Sequence, residues 1–195
     1  MKMRNLFSMS AKYREMYPGV GFGLTLITGC QDASNPSGFD QYKRKLLRKM
    51  RKRETLAQIT ERIEIYNRFF QGFGFDCPLP KHLNRTVNSG FPRYSLYVDA
   101  HFMAEMCAGI LVAVTDFKKF EGNLILDVTD ENEIVCVLCQ GADEKTRVGE
   151  KTTDVLFYAY AVPSIAGQYL KEGLTIAADT LVEFGGGNVE FIDLF

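Results

Sequence analysis

Histidine is scarce in this sequence, and long apolar runs are missing from it. Only two of the 195 residues are histidine, so a metal site built from several imidazoles is excluded. The longest apolar run, Ile110 to Val114, is far shorter than the roughly 20 residues that span a bilayer. The basic N-terminus is not followed by the apolar core of a signal peptide. We therefore expect a soluble cytoplasmic protein that does not bind membranes.

Neither sign of charge is in excess over the whole chain. The 23 basic and 24 acidic residues give a formal net charge of −1, which argues against a simple polycation that binds nucleic acid. The distribution is uneven, however, because the net charge is +10 up to Arg93 and −11 from Tyr94 onward. Such asymmetry between the two halves favours an anionic partner on one face of the protein.

The five cysteines are odd in number, and the chain is long enough to bury a core without disulfides, so we expect reduced thiols. Cys136 and Cys139 form a C-x-x-C within a predicted strand, where positions three apart face opposite sides, and no second ligand pair accompanies them. A nucleophile formed by His101 with Cys77 or Cys107 is less expected than simple burial of the thiols. The sequence therefore predicts neither a metal site nor a cofactor.

The length fits one compact domain. The spacing of apolar residues changes once along the chain, from a pattern typical of helices to one typical of strands. We assign residues 1–16 to an N-terminal extension and 17–195 to a single domain. A strand and a series of helices precede a second half that is rich in β-formers. This order predicts an α+β fold with a central, mostly antiparallel sheet flanked by helices. The predicted strands are 19–29, 110–116, 123–128, 133–138 and 154–161, and the predicted helices are 40–53, 54–70, 81–88, 94–108 and 164–184.

Periodicity and end signals define two of these helices. In the helix over 54–70, apolar residues spaced by 3, 4, 3 and 4 positions form one side of an amphipathic helix. In the last helix, Ser164 is the predicted N-cap, and the glycines at 185–187 are predicted to end it. The apolar side of the first helix consists of Leu56, Ile59, Ile63, Tyr66 and Phe70.

A run of eight cations within eleven positions is the strongest local feature of the sequence. On a helix, Leu46, Leu47 and Met50 form its only apolar edge, so three sides are basic and can contact phosphates. The alternative is a solvated surface helix, although such helices usually interleave Glu with Lys, and this run has no acid before Glu54. The predicted RNA-binding residues are Lys43, Arg44, Lys45, Arg48, Lys49, Arg51, Lys52 and Arg53.

Four polar groups stand out in the apolar segment that follows: Asp99, His101, Glu105 and Asp116. The simpler interpretations are that Asp99 caps a helix and that Asp116 holds the next turn. His101 lies two positions after the expected cap, where backbone N–H groups at a helix N-terminus favour a carboxylate, an ester or a phosphate. A packing role is the alternative for His101.

The order of these segments resembles that of a known family. An amphipathic helix, a short helix marked by proline, an apolar helix and strand, an acidic turn and a further strand follow one another as in the B3/B4 domain. This domain is the tRNA-editing module of the phenylalanyl-tRNA synthetase β subunit. The resemblance covers Tyr17 to the C-terminus and is closer to free-standing relatives of the module. The residues that match the family's core motif are Val98-Asp99, Gly109, Asp116 and Glu121-Gly122.

The resemblance implies a site for the aminoacyl end of tRNA. Gapless alignment places the family's Thr-Asn pair on His101 and Phe102, its editing-site His on Ala113 and a later Glu near Tyr158. Because this chain has other residue types at those places, we expect His101, Glu105 and Tyr158 to substitute as catalytic groups. The substrate contacts implied by the same alignment come from Asp99, Phe102, Ala113 and Asp116.

Three functions from different classes are consistent with these features. The first is a free-standing editing-like module that binds tRNA or aminoacyl-tRNA and hydrolyses a mischarged aminoacyl ester. The second is an enzyme or binding protein for a free aromatic amino acid or its derivative, without RNA. The third is an interaction module without catalysis. The sequence leaves the amino acid and the oligomeric state open.

Overall fold

A computed structural model defines residues 7–33, 36–120, 124–127 and 144–195. This part of the chain forms six α-helices and six β-strands. The helices are α1 (Ala11–Met16), α2 (Phe39–Met50), α3 (Arg53–Gln71), α4 (Leu79–Ser89), α5 (Leu96–Ala108) and α6 (Gly167–Gly185). The strands are β1 (Phe7–Met9), β2 (Phe22–Thr28), β3 (Leu111–Asp116), β4 (Leu124–Leu126), β5 (Val155–Tyr160) and β6 (Asn188–Leu194).

Four of the strands form an antiparallel sheet in the order β3-β5-β2-β6. In its middle, Thr25 of β2 lies opposite Phe157 of β5 on one side and Ile192 of β6 on the other. The short strands β1 and β4 form a separate parallel pair. Helices α5 and α6 pack on each other and against the sheet. The prediction of an α+β fold with a central, mostly antiparallel sheet is confirmed.

The two faces of the sheet carry separate clusters of buried side chains. Because successive residues of a strand point to opposite faces, Phe157 of β5 joins the core beneath the helices, whereas Tyr158 joins the second cluster. In the second cluster, Phe7 of β1 stacks on Phe22 of β2 with ring centroids 4.5 Å apart. The part of the predicted extension that the structure describes, residues 7–16, therefore packs against the domain, and Tyr13 of α1 is buried as well.

The amphipathic prediction for α3 is confirmed. Its apolar side is buried in the core, and Gly72 follows directly as the C-cap. The four fully buried residues are Ile59, Ile63, Tyr66 and Phe70, while Leu56 at the start of the helix is half-buried. None of the helices that the structure describes is long and apolar enough to cross a membrane.

The start of the last helix differs from the prediction. Ala166, not Ser164, is the N-cap of α6. Ser164 has a φ of 79°, and the Ile165 N–H donates a hydrogen bond of 3.0 Å to the Val162 carbonyl. With Pro163 before Ser164, this is the geometry of a type II turn, in which the third residue has a positive φ. The prediction of Ser164 as the N-cap is therefore wrong, because this turn separates β5 from α6.

Several predicted features lie outside the described residues. These are the strand over 133–138 with its C-x-x-C, part of the strand over 123–128, and the motif residues Glu121 and Gly122. Conversely, three elements of the structure, β1, α1 and β6, have no counterpart among the predicted strands and helices. Because β6 pairs with β2, it completes the sheet beyond the triple glycine at 185–187.

Candidate functional site

Two imidazoles and one carboxylate meet where α4 packs on α5. His101 and Glu105 are one turn apart on α5, and Nε2 of His101 lies 3.7 Å from Oε2 of Glu105. His82 comes from α4, and its Nδ1 lies 3.8 Å from the same oxygen. The chain has no other histidine. We call these three residues the histidine cluster.

Glu105 forms the buried floor of the histidine cluster. Its side chain is 5% exposed, whereas those of His101 and His82 are 21% and 37% exposed, so solvent reaches the imidazoles more readily than the carboxylate. Oε1 of Glu105 accepts a hydrogen bond of 3.2 Å from the Val112 backbone N–H. The Phe102 ring lies against both imidazoles, with centroid distances of 5.0 Å to His82 and 6.5 Å to His101. Residues of α4, α5 and β3 thus hold the cluster in place.

The histidine cluster has the composition of a general acid–base site. The Nδ1 atoms of both imidazoles are buried and have no hydrogen-bond partner among the described residues. The distances to Glu105 are longer than hydrogen bonds but within the range of an ion pair. A nearby carboxylate orients an imidazole and stabilises the cation that forms when the ring takes up a proton. Since Nδ1 is buried in both rings, Nε2 is the ring nitrogen that can exchange a proton with solvent; Glu105 lies at the opposite nitrogen, Nδ1, in His82, but at Nε2 itself in His101.

His101 does not lie at a helix N-terminus. The N-cap of α5 is Ser95, whose Oγ accepts a hydrogen bond of 3.3 Å from the Val98 N–H. Asp99 is in the first turn and His101 in the second, beyond the N–H groups that lack partners within the helix. The interpretations of Asp99 as the cap and of His101 as an anion receptor at the helix end are both wrong. Both interpretations assume an N-cap at Asp99, four residues after the actual N-cap, Ser95.

Tyr158 and Ala113 lie on the face of the sheet that is turned away from the helices. They are register partners between β5 and β3. The Tyr158 ring packs in the second cluster, with its centroid 6.3 Å from that of Phe22, and burial raises the pKa of the Tyr158 hydroxyl to about 12. Of the three predicted catalytic residues, the structure brings His101 and Glu105 together and leaves Tyr158 apart.

Asp99 forms a buried ion pair. Its Oδ2 pairs with Nζ of Lys43 from α2, and its Oδ1 accepts a hydrogen bond of 2.8 Å from the Tyr94 N–H. The Lys43 ammonium also donates to the Pro92 carbonyl at 2.7 Å. Both charged side chains are more than nine-tenths buried. Lys43 and Asp99 therefore tie α2 to α5, and neither faces the solvent from which RNA or a substrate would approach.

Asp116 holds the turn after β3, in agreement with the simpler interpretation of this residue. Its Oδ1 accepts a hydrogen bond of 3.0 Å from the Lys118 N–H, and its Oδ2 accepts one of 2.7 Å from the Thr152 hydroxyl. The carbonyl of Thr152 in turn accepts a hydrogen bond of 2.6 Å from the Tyr97 hydroxyl. Asp116 therefore links β3 to the segment before β5 and, through that segment, to α5.

The other cations of the predicted RNA-binding run are exposed. On α2, Lys43 and Met50 point inward and Leu46 and Leu47 are half-buried, so the remaining sides of the helix face the solvent. None of these exposed cations forms an ion pair within the described residues. The set, which we call the basic face, consists of Arg44, Lys45, Arg48, Lys49, Arg51, Lys52 and Arg53.

Two of the described cysteines, Cys30 and Cys107, are thiols without the environment of a nucleophile. Burial raises the pKa of the Cys107 thiol to about 12 and that of the Cys30 thiol to about 11, so both are protonated near neutral pH. Within the described residues, no group of three or more His, Cys, Asp or Glu residues is arranged to hold a metal ion. Cys136 and Cys139 lie outside this part of the chain.

Comparisons with known proteins assign no family to this chain. No family model matches the sequence, and no curated protein matches it either. The B3/B4 resemblance therefore stays a prediction from the motif residues.

Proposed function

We propose that the protein is a free-standing, editing-like module that binds tRNA or aminoacyl-tRNA. The observation that carries this proposal is the basic face, in which seven exposed cations follow one another on α2 and at the start of α3. Cations in such an arrangement bind phosphates and release the counterions of a nucleic acid. The resemblance to the B3/B4 domain supports tRNA as the nucleic acid.

The basic face differs from an ordinary surface helix in that its charge is uncompensated. The only acidic residue of α2, Asp40, pairs with Arg93 at 2.6 Å and not with a cation of the basic face. Lys43, which is also on α2, is balanced by Asp99. The exposed side of the helix thus keeps its full positive charge toward the solvent, which favours an anionic polymer as the partner.

Reversal of three charges on the basic face is expected to weaken tRNA binding at least about tenfold. The triple variant Lys45→Glu/Lys49→Glu/Lys52→Glu replaces phosphate contacts with repulsion. Binding is measured by fluorescence anisotropy with labelled tRNA. The affinity of the unmodified protein is expected to fall steeply between about 50 and 200 mM salt, because counterion release dominates such binding.

A matched variant separates the basic face from net charge alone. Arg68, Lys151 and Lys171 are exposed cations elsewhere in the fold, and their reversal to Glu changes the net charge by the same amount. We expect this control to keep most of the tRNA affinity. Equal losses in the two triple variants, or binding that does not respond to salt, would contradict the proposal.

The histidine cluster favours a second candidate function, the hydrolysis of an aminoacyl ester. Hydrolysis needs a group that accepts a proton from water, and His82 is such a group, since its buried Nδ1 lies 3.8 Å from Glu105 and its ring is the more exposed of the two. His101 adds a second imidazole at the same carboxylate, so one ring can donate a proton to the leaving oxygen while the other accepts one.

Substitution of His82 by alanine is expected to slow deacylation about 100-fold, which is within the usual contribution of a general base. The assay follows release of amino acid from tyrosyl-tRNA, phenylalanyl-tRNA and other aminoacyl-tRNAs. We expect His101→Ala to slow the reaction as well. Tyr158→Phe serves as the control and is expected to leave the rate unchanged, because Tyr158 lies on the opposite face of the sheet.

If the unmodified protein deacylates none of these tRNAs, the hydrolase candidate is eliminated. A Tyr158→Phe rate as low as that of His101→Ala would instead show that the histidine cluster is not the reacting site. Retention of a free aromatic amino acid in the absence of tRNA would favour the small-molecule alternative.

A further inference from the structure

A groove of about 520 Å³ runs between α2 and the end of α4. Its first wall is the side of α2 that carries Arg44 and Arg48, continued by Arg51 at the end of the helix. Its second wall is formed by Asn88, Ser89, Gly90 and Phe91. The volume is within the range of sites that hold a small molecule or one unit of a polymer.

The three arginines lie on the same side of α2, since they are spaced by four and three positions. Nη2 of Arg51 donates to the Val87 carbonyl in the last turn of α4, which places this guanidinium across the groove. Asp40 is the only carboxylate among the lining residues, and it is engaged by Arg93. The groove is therefore positively charged, and planar guanidinium groups match phosphate oxygens in geometry.

The second wall supplies the other groups that a nucleotide requires. Phe91 is half-buried and packs on the core, so its ring is an apolar surface that is fixed in position. Asn88 and Ser89 are exposed and carry donors and acceptors for a sugar or for the edge of a base. Aromatic rings beside a basic groove are the usual means of binding unpaired nucleotides, because every base has a face that stacks.

We infer that this groove binds a single nucleotide unit, with its phosphate on Arg44, Arg48 and Arg51 and its base on Phe91. The inference rests on the proposed function for its RNA form, in which the nucleotide belongs to an unpaired segment of tRNA. A base within a duplex remains stacked on its neighbours and cannot reach Phe91. The groove thus selects single-stranded RNA, whereas the rest of the basic face attracts any RNA.

The groove also lies close to the histidine cluster. Ser89 and His82 are seven residues apart on α4, which places them on the same side of that helix and about 10 Å apart along its axis. An RNA strand with one nucleotide in the groove would therefore bring the following nucleotide toward the imidazoles. Binding in the groove and hydrolysis at the cluster are compatible with one bound strand.

The test compares two double variants that remove the same charge from neighbouring positions of α2. Arg44→Gln/Arg48→Gln alters the groove, and Lys45→Gln/Lys49→Gln alters the basic face outside it. The probes are a labelled single-stranded RNA pentamer, an RNA duplex and adenosine 5′-monophosphate. We expect the arginine variant to bind the pentamer about tenfold more weakly, with the slope of log K against log salt reduced by about 0.7 for each phosphate that the variant no longer neutralises. The lysine variant is expected to bind it about threefold more weakly or less.

A third variant examines the stacking surface. Phe91→Leu keeps an apolar side chain in the core and removes the ring, and we expect it to lose about fivefold or more in affinity for the pentamer and nothing for the duplex. The thermal midpoint of each variant, measured by circular dichroism, shows whether it folds. Two results would overturn the inference that the groove binds a nucleotide. One is an equal loss of pentamer affinity in the arginine and lysine variants, and the other is an unchanged pentamer affinity of folded Phe91→Leu.

These outcomes distinguish the groove from the proposed function. If the protein binds RNA but the two double variants are alike, only the groove inference fails. If it binds no RNA but retains adenosine 5′-monophosphate in a way that depends on Arg44 and Arg48, the nucleotide site stands and the proposed tRNA function fails. If it binds none of the three probes, both fail.

Discussion

Replacement of Asp99 by alanine is expected to lower the free energy of unfolding by about 3–5 kcal/mol, as is usual when one partner of a buried ion pair is removed. Lys43 would keep its charge and its burial, and the ammonium group would keep the Pro92 carbonyl and the face of the Phe39 ring as neighbours but would have no carboxylate to balance it. The Tyr94 N–H would lose its acceptor as well. The measurement is unfolding in urea followed by circular dichroism.

Two further variants isolate the cause of this loss. In Lys43→Met/Asp99→Ala the unpaired charge is removed, so we expect much of the stability to return. In Asp40→Ala the ion pair that is removed, with Arg93, is exposed, and the expected change is about 1 kcal/mol or less. An Asp99→Ala protein as stable as Asp40→Ala would contradict a buried, structural role for Asp99. That result would favour the alternative role of Asp99 as a substrate contact.

Replacement of Gly187 by alanine is expected to destabilise the protein by about 3 kcal/mol or more. The residue has a φ of +95°, a backbone conformation that residues with a side chain rarely adopt. A Cβ built there would lie 2.6 Å from the backbone oxygen of Thr28 and 3.1 Å from Cβ of Cys30. Since the nearest atom belongs to the backbone of the central sheet, the overlap can be relieved only by displacing β2 or the start of β6.

Gly38 is the matched control for this prediction. It also has a positive φ, of +81°, but a Cβ there would meet no atom within 4 Å. Gly38→Ala is therefore expected to cost about 1 kcal/mol, from backbone strain alone. Equal midpoints for the two variants in thermal unfolding would show that the turn between α6 and β6 yields easily, contrary to the tight contact described above.

Helices α2 to α6 could be predicted from the sequence because their signals are local, whereas the six-residue helix α1 was not predicted. The spacing of Ile59, Ile63 and Tyr66 identifies the buried side of α3 without knowledge of its partners. The strand β6 has no comparable signal. It is an edge strand, and Val189 and Leu194 are 42% and 43% exposed, so it lacks the alternation of a strand with one buried face.

The histidine cluster could be predicted only in part. His101 and Glu105 are four positions apart on one helix, a distance that the sequence fixes once the helix is known. His82 reaches the same carboxylate through the packing of α4 on α5, and no local pattern contains that contact. Tyr158 was expected at the site from the resemblance, but its position in β5 turns it to the other face of the sheet.

The sequence contains a signal for the burial of Lys43, but the neighbouring cations obscure it. It lies four positions after Phe39 and seven before Met50, so all three share one side of α2, and all three are buried. The surrounding cations make it look like one more member of a basic run. A partner far along the chain, Asp99, is what allows its burial, and the sequence does not show that pairing.

The order of strands in the sheet has a consequence for how the chain folds. The central strand β2 is synthesised early, but both of its neighbours come late, and the hydrogen bond from Thr25 to the Phe191 carbonyl joins residues 166 positions apart. Chains dominated by such long-range pairings fold slowly, because the chain must lose the entropy of closing a long loop before the contact can stabilise it. Helices α2 to α5 are complete before β2 acquires a partner. Until then β2 is an unpaired, strongly apolar segment, and it is the place where we expect misfolding and aggregation to begin.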